Sequence, residues 1–509
     1  MEKQLDLLDI QGNVIKAYGR YNFPAARYLF LNIRDGKRAR EFVGEVTKEV
    51  TTAVKWDEGI NPISKPPSTV NIAFTYPGLK QLELPRASLI GFPMEFVMGM
   101  KKRKDILGDD GRSAPDHWDP IWRDNRESDW LKDVHIWISI NGQTPADVQK
   151  RYEWLQELVT RTAGGVAILS GHRGDDGAEK MLFQDVHAVI ENGRPTSKEH
   201  FGYTDGIGDP VFEGLPGRPE RVIGRGKQLK DGKWAPLATG EFILGHRDEA
   251  DEYPAAPAPQ LLSRNGTFMV YRKLHENVGT FNAYLEQEGA KYPGGKELLA
   301  AKFVGRWRDN GAPLVDAPDA KSKAEWDAKF YAANRVEQDK MLSGFTFNND
   351  KDGAKCPFSS HLRRINPRAS LESTPDAFET PGALANRRRV MRRGLPYGDV
   401  KNATRDDGNH GIVIMMISAS ISRQFEFVQQ QWINYGNDFH AANDKEIILG
   451  NHSVEFPSKA VLEVEKDSDD APYFLSKIPR LVETRGGDYF FIPSMTALRM
   501  IAKGIVDPT

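Results

Sequence analysis

The sequence predicts an α+β protein made of two similar halves, each an antiparallel sheet covered by helices. Apolar runs rich in strand-forming residues alternate with stretches whose apolar residues recur every three or four positions, as in a helix. This order, strand then helix and again strand then helix, occurs once in each half of the chain. Two copies of it indicate paired βαββαβ units.

In the first half, residues 28–33 (YLFLNI) and 134–140 (VHIWISI) are the predicted strands. An apolar stripe at helical spacing follows the first strand: Ala39, Phe42, Val43, Val46 and Val50. The second strand is followed by Thr144, Pro145 and Asp147, which suit an N-cap, a first helical position and a capping acid. The helix that they begin carries Val148, Leu155, Leu158 and Val159 on one face.

In the second half, residues 267–271 (TFMVY) and 412–417 (IVIMMI) are the predicted strands. The helices after them carry the apolar stripes Val278, Phe281 and Leu285, and Ile421, Phe425, Val428 and Trp432. Residues 213–260 are rich in glycine and proline and are the predicted linker between an N-terminal domain, 1–212, and a C-terminal domain, 261–509.

Composition excludes several classes of protein. The 509 residues include 69 Lys+Arg and 71 Asp+Glu, and this near-neutral balance argues against a wholesale binder of nucleic acid. The single cysteine, Cys356, excludes an intrachain disulfide and a cysteine-built zinc or iron–sulfur site, and its apolar surroundings favour a packing role. The longest apolar run is far below the roughly 20 residues of a membrane span. The first residues lack the pattern of a secretory signal, so we expect a cytoplasmic protein.

Residues 201–210 (FGYTDGIGDP) contain three glycines among ten residues. Glycines let the backbone adopt positive φ and approach a flat or bulky ligand closely. The alternative is a pair of turns in which Asp205 and Asp209 cap their own backbone.

A second unusual segment runs from residue 356 to residue 398. Between His361 and Arg393 it holds eight arginines and no lysine: Arg363, Arg364, Arg368, Arg387, Arg388, Arg389, Arg392 and Arg393. Arginine without lysine indicates bidentate recognition of carboxylate or phosphate. RNA, a phosphorylated ligand and a cofactor with carboxylates, such as haem, all remain open as partners. His361 is compatible with an iron ligand, although a structural histidine is the more common case.

These segments carry a family resemblance. GYTDG at 202–206 resembles the GxxDG motif of the dye-decolourising peroxidases, CPFSSHLRRINPR at 356–368 their proximal-histidine segment, and MRRGLPYG at 391–398 their distal-arginine segment. LDIQGN and GGDYFFIPS are similar to further landmarks in the expected order. The length and the long insert between His361 and Arg392 resemble the larger members of the family.

The resemblance implies two ferredoxin-like domains and one haem b per chain, held chiefly by the second domain. It implies that His361 ligates the haem iron from the proximal side and that Asp205 and Arg392 are catalytic on the distal side. The other cofactor-binding residues that we expect from it are Gly206 in the glycine-rich loop, Arg368 for a haem propionate, Asp488 as the acid that holds the proximal imidazole, and Ile412 and Ile414 as an apolar roof.

The implied activity is oxidation of dyes, phenols and similar aromatic donors by hydrogen peroxide in one-electron steps. A carboxylate remains a base in mildly acidic solution, where histidine is protonated, so we expect an acidic optimum. Tyr397 and Trp432 are the candidates for oxidation of bulky dyes at the surface, with a core role as the alternative for Trp432. Two other functions remain open: a haem carrier with slow turnover, and an RNA-binding protein that would bind RNA in a salt-dependent way without haem.

Overall fold

A nine-stranded sheet joins the two halves of the chain in the computed structural model, which describes residues 4–56, 63–124, 130–215, 219–372, 380–463 and 471–506. The strands are β1 Ala25–Ile33, β2 Ser68–Phe74, β3 Ile136–Gly142, β4 Val166–Ile168, β5 Gln184–His187, β6 Ile190–Glu191, β7 Arg194–Pro195, β8 Lys227–Gln228, β9 Trp234–Ala235, β10 Thr267–Glu276, β11 Met391–Tyr397, β12 Gly411–Ser418, β13 Lys459–Leu462, β14 Tyr473–Ser476 and β15 Val482–Ile492.

The helices are mostly short, and the two longest pack on the sheet. The α-helices are α1 Gly12–Ile15, α2 Gly19–Asn22, α3 Gly36–Glu49, α4 Tyr76–Gln81, α5 Arg86–Leu89, α6 Met94–Met98, α7 Lys104–Leu107, α8 Pro120–Arg123, α9 Pro145–Arg161, α10 Gln260–Ser263, α11 Val278–Gly289, α12 Gly295–Val304, α13 Ala320–Ala332, α14 Arg335–Ser343, α15 His361–Ile365, α16 Ala383–Asn386 and α17 Met495–Lys503. Two π-helical turns, Ile421–Glu426 and Val428–Ile433, follow β12. Among the described residues, none of the helices has the length and apolar character needed to cross a membrane.

Each half of the sheet has the strand order of a ferredoxin-like unit. In the first half β4, β1, β3 and β2 are neighbours in that order, and in the second half β11, β12, β10 and β15 are. All their pairings are antiparallel, and the halves meet where Phe74 of β2 pairs with Phe491 of β15. The predicted class, an α+β protein of two ferredoxin-like units, is confirmed. The domain limits 1–212 and 261–509 stay a prediction.

The capping signal at the start of α9 works as the sequence predicts. The Asp147 backbone N–H donates to Thr144 Oγ1 over 3.2 Å, and the Thr144 N–H donates to Asp147 Oδ2 over 3.0 Å. This reciprocal pair satisfies two N–H groups that have no partner within the helix. The helix then buries Val148, Leu155 and Leu158 against the sheet, so the predicted apolar stripe is its core face.

The helix predicted after β12 is π-helical instead of α-helical. In a π-helix the hydrogen bond runs from i to i+5, which widens each turn. Ile421, Phe425 and Trp432 are buried as predicted. Phe425 and Val428 also line a cavity, to which the wider turns bring them.

Candidate functional site

A cavity of about 300 Å³ lies against the C-terminal half of the sheet. Alternate residues of β10 and β12 form one wall, and the π-helical turns, α15 and residues 199–210 enclose the rest. A volume of this size is at the lower end of the range for small-molecule and cofactor sites. Both unusual segments of the sequence therefore contribute to one site.

Asp205 reaches this cavity from a tight reversal of the chain. Lys198 and Thr204 pair as an antiparallel bridge, and the Asp205 N–H donates to the Ser197 carbonyl over 2.8 Å. Gly202 and Gly206 have φ values of +93° and +80°, which favour glycine. Gly206 itself does not line the cavity, so its contribution is to turn the chain directly after Asp205.

Arg392 meets Asp205 at the cavity. Its Nη1 lies 3.0 Å from Asp205 Oδ1, and both side chains are about 30% exposed. The next residue, Arg393, points to the opposite face of β11, where Nη1 lies 2.6 Å from Asp209 Oδ2 and Nε donates to the Asn13 carbonyl. Strand alternation therefore separates the two arginines and leaves Arg392 on the cavity side.

His361 enters the cavity as the first residue of α15. Two arginines of the same short helix, Arg363 and Arg364, hold it against the rest of the chain. Arg363 is fully buried and pairs with Asp350 at 2.5 Å, while Arg364 donates to the carbonyls of Trp432, Tyr435 and Asp444. Neither of these arginines is available to a ligand, although the sequence groups them with those that are.

The acid beside the imidazole is Glu446, and the expectation for Asp488 is wrong. Glu446 Oε1 lies 3.5 Å from His361 Nδ1, and its buried carboxylate also accepts hydrogen bonds from the N–H groups of Ile448 and Leu449. Asp488 is on β15, where its carboxylate accepts from the Met100 and Tyr489 N–H groups. It does not line the cavity. The motif order indicated an acid near the C-terminus but not which strand face it occupies.

Three arginines at the cavity, the buried Arg306 and Arg389 and the partly buried Arg368, have no carboxylate at ion-pair distance among the residues that the structure describes. Arg306 and Arg368 donate to backbone carbonyls. Burial lowers the pKa of Arg306 and of Arg389 to about 10, and that of Arg368 further, and neighbouring arginines add to each effect. Such a cluster is electrostatically incomplete without an anion.

The rest of the cavity wall is largely apolar. Ile412 and Ile414 line it from alternate positions of β12, as the sequence predicts for a roof, and Met416 continues the row. Phe425 and Ile433 contribute from the π-helical turns. The site thus combines an apolar slot with a histidine, a carboxylate–guanidinium pair and a cationic cluster.

The two candidates for surface oxidation are both inside the protein, so that expectation is wrong. Tyr397 is 1% exposed and Trp432 is 2% exposed. Burial raises the pKa of Tyr397 well above its usual value, and the Lys273 ammonium lies 4.6 Å from its ring centre. Trp432 packs between Phe427 and Phe439 and donates to Asp438, which is the core role of the alternative.

Sequence reasoning missed Glu446, Arg306, Glu199 and Glu276, all of which contact or line the site. Glu199 stands only six residues before Asp205, and its place in the glycine-rich turn was the one local signal available. Glu446 and Arg306 lie far from the motifs along the chain, and folding alone brings them to the cavity.

The sequence is similar to those of known proteins. Residues 9–173 match the family model described as the DyP dimeric alpha+beta barrel domain. Dye-decolorizing peroxidase msp1 of Mycetinis scorodonius is 23% identical, over 98% of this chain and 88% of that protein. Multifunctional dye peroxidase DyP2 of Amycolatopsis sp. is 29% identical, over 61% of this chain and 62% of that protein.

Solved structures share the fold over nearly the whole chain. An ancestral D-type dye-decolorizing peroxidase has a TM-score of 0.74 at 26% identity and covers 97% of this chain and 99% of its own. A DyP-type peroxidase of Auricularia auricula-judae has a TM-score of 0.73 at 21% identity, over 99% of this chain and 100% of its own. The fold and the cavity define a two-unit α+β protein with a cofactor-sized site in the part of the chain that the structure describes. The chain is similar to dye-decolourising peroxidases over nearly its whole length, and residues 9–173 match a domain model of that family.

Proposed function

We propose that this protein is a haem peroxidase that uses hydrogen peroxide to oxidise dyes, phenols and similar aromatic donors, with one haem b per chain. The observation that carries the proposal is the position of His361 and the Asp205–Arg392 pair on one cavity. A histidine can ligate iron, and a carboxylate with a guanidinium can handle peroxide. The relatives' names point to the same chemistry.

The residues of the cavity fit haem. A porphyrin needs an apolar slot, and Ile412, Ile414 and Phe425 supply apolar walls. Its two propionates need cations, and Arg306, Arg368 and Arg389 are cations at the cavity without a carboxylate at ion-pair distance among the described residues. His361 would hold the iron, with Glu446 beside the other ring nitrogen. When bound, haem supplies an iron that accepts peroxide oxygen and then takes electrons one at a time.

The chain's own residues supply the proton chemistry. Cleavage of peroxide requires a proton to leave one oxygen and arrive at the other, and Asp205 can accept and return it. Arg392 stabilises negative charge that develops on the departing oxygen, because its guanidinium stays protonated. Their 3.0 Å contact holds the Asp205 carboxylate beside Arg392 at the cavity.

One experiment tests the function as a whole. The purified protein is reconstituted with haem b, its absorption spectrum is recorded, and turnover of a phenol and of an anthraquinone dye is measured with and without hydrogen peroxide. We expect a Soret band and peroxide-dependent oxidation of both donors. A Soret band without turnover would indicate a haem carrier, and no haem binding would contradict the proposal.

Arg389→Met is expected to weaken haem binding about 10- to 100-fold, because one charge-assisted hydrogen bond to a propionate is lost. The folded apoprotein should not be destabilised, since the change removes a buried cation that has no carboxylate partner among the described residues. Haem titration and thermal unfolding of the apoprotein measure the two effects.

Arg387→Met is the matched control, because Arg387 pairs with Asp248 at 2.8 Å. We expect this change to destabilise the apoprotein and to affect haem affinity less. The assignment of Arg389 to a propionate is wrong if both variants bind haem equally well.

A further inference from the structure

Two glutamate side chains, Glu199 and Glu276, meet at the wall of the cavity next to the turn that carries Asp205. Glu276 is the last residue of β10 and is 4% exposed, and Glu199 belongs to the turn itself. The two carboxyl groups are close enough to share a hydrogen bond, and both side chains line the cavity. Nothing in the proposed peroxide chemistry uses them.

This pair holds three backbone N–H groups of one turn. Phe201 and Tyr203 each donate an N–H to Glu199, to Oε2 and Oε1 respectively, over 2.7 Å. The His200 N–H donates to Glu276 Oε2 over 3.3 Å. The turn ends two residues before Asp205. The pair therefore fixes the backbone position from which the Asp205 side chain extends into the cavity.

Two carboxyl groups can be hydrogen-bonded to each other only if one of them holds a proton. Both oxygens of Glu199 already accept backbone N–H groups, so the proton belongs to Glu276. Burial raises the pKa of Glu276 well above its usual value, and the negative charge of Glu199 raises it further. Burial also raises the pKa of Glu199, while the turn's N–H groups lower it.

The other groups around the pair leave this proton in place near neutral pH. Asp205 adds a negative charge, and Arg308, which donates to the Phe201 carbonyl, adds a positive one and is itself paired with Glu297. Burial lowers the pKa of His200 to about 4 and also lowers that of His410, so both rings are neutral.

The remaining ionisable groups near the pair add no free charge. Burial raises the pKa of Tyr203 and of Tyr397 well above the usual value, so both phenols are neutral. Arg272, four residues before Glu276 and also at the cavity wall, is paired with Asp109 at 2.6 Å.

We propose that Glu276 is a positioning residue: as a neutral acid it donates its proton to Glu199, and the pair thereby holds the turn that presents Asp205 to the cavity. Loss of that proton leaves two adjacent carboxylates at the base of the turn. Their repulsion releases the turn, and Asp205 loses its position beside Arg392. Activity at alkaline pH is therefore limited by Glu276. Only the part of the proposal that concerns activity rests on the proposed function.

The proton has a defined effect on stability. Glu276 has a higher pKa in the folded protein than in the unfolded chain, so between these two values the folded state binds more protons. The free energy of unfolding therefore falls as pH rises above the usual range for glutamate. A glutamine at position 276 does not titrate, yet its amide still donates to Glu199 and accepts from the His200 N–H.

Thermal unfolding of the apoprotein from pH 4 to pH 9 tests this. We expect Glu276→Gln to match the wild type near pH 4 and to unfold about 1–3 °C higher at pH 8, with the difference growing as pH rises. Glu199→Gln replaces one of two accepting oxygens by a donor and should unfold at a lower temperature at every pH. Glu286→Gln, an exposed change in the same half of the chain, should match the wild type throughout.

Infrared spectroscopy gives a readout independent of stability. We expect the C=O stretch of a protonated carboxyl group near pH 7 in the wild type and its loss in Glu276→Gln. In the haem-loaded protein, Glu276→Gln should keep turnover at higher pH than the wild type and leave the acidic limb unchanged.

Each result decides a different point. A constant difference in unfolding temperature at all pH values, or no protonated carboxyl signal, would overturn the proposal. If Glu199→Gln keeps the wild-type unfolding temperature and Glu276→Gln does not, the proton belongs to Glu199, and this result would also overturn the proposal. If the protein binds no haem while the unfolding and infrared results hold, the proposed function fails and the proton-held turn stands.

Discussion

Replacing Asp205 by asparagine is expected to lower kcat/KM for hydrogen peroxide by about 10²- to 10⁴-fold, the range for loss of a general acid–base group. Asparagine keeps the size of the side chain and can still accept a hydrogen bond from Arg392, 3.0 Å away in the wild type. It cannot take up a proton and return it. The measurement is the rate at which peroxide changes the absorption spectrum of the haem-loaded variant, followed from pH 3 to pH 8.

Asp209→Asn is the comparison that isolates the role of Asp205. Asp209 also lines the cavity, but its carboxylate is committed to Arg393 at 2.6 Å and to the Arg392 N–H at 3.2 Å. We expect a smaller loss of rate for this variant, together with a lower unfolding temperature. If Asp205→Asn keeps the wild-type rate at every pH, Asp205 does not move the proton and Arg392 acts without it.

Local sequence signals were enough for the elements whose chemistry is local. The Thr144–Asp147 capping box and the apolar stripes on α3 and α9 appear in the fold as predicted, because each depends on residues close together in the chain. β11 was not predicted, since Gly394 and Pro396 argue against a strand interior. It lies at the end of the strand order, where a missing N–H is tolerated.

The missed strand also determines on which side of the sheet Tyr397 lies, and its 1% exposure excludes the surface position that the sequence suggested. Successive side chains of a strand point to opposite faces, so residues 392 and 397, an odd number apart, cannot both face the cavity. Once β11 is recognised, the position of Arg392 on the cavity side predicts that Tyr397 points away from it. The motif at residues 391–398 predicts which residue types are present. The alternation of side chains along β11 determines which of them face the cavity.

Composition alone does not predict which arginines of the segment 363–393 reach the cavity. All eight arginines are equivalent in a count, yet Arg363 and Arg364 are fully buried and bind their own chain, while Arg368, Arg388, Arg389 and Arg392 line the cavity. Which way each side chain turns depends on carbonyl groups and acids far away in sequence, such as Asp350 for Arg363. The same holds for Glu446, whose place beside His361 is set by the turn at residues 446–449.

His361→Ala is expected to weaken haem binding by more than about 100-fold, because the direct ligand is lost whereas loss of a residue that only holds a ligand costs about 10- to 100-fold. Glu446→Gln provides that smaller effect within the same site, since it keeps the side chain's shape but weakens the acceptor 3.5 Å from His361 Nδ1. Haem titration of the apoproteins measures both affinities.

The space left by the lost side chain is open to free imidazole, which should restore the Soret band of His361→Ala and leave Glu446→Gln unchanged. His117→Ala, at an exposed histidine, controls for a general effect of the substitution. Wild-type affinity and an unchanged spectrum in His361→Ala would mean that the arginine cluster and the apolar walls hold the haem and that a different residue ligates the iron.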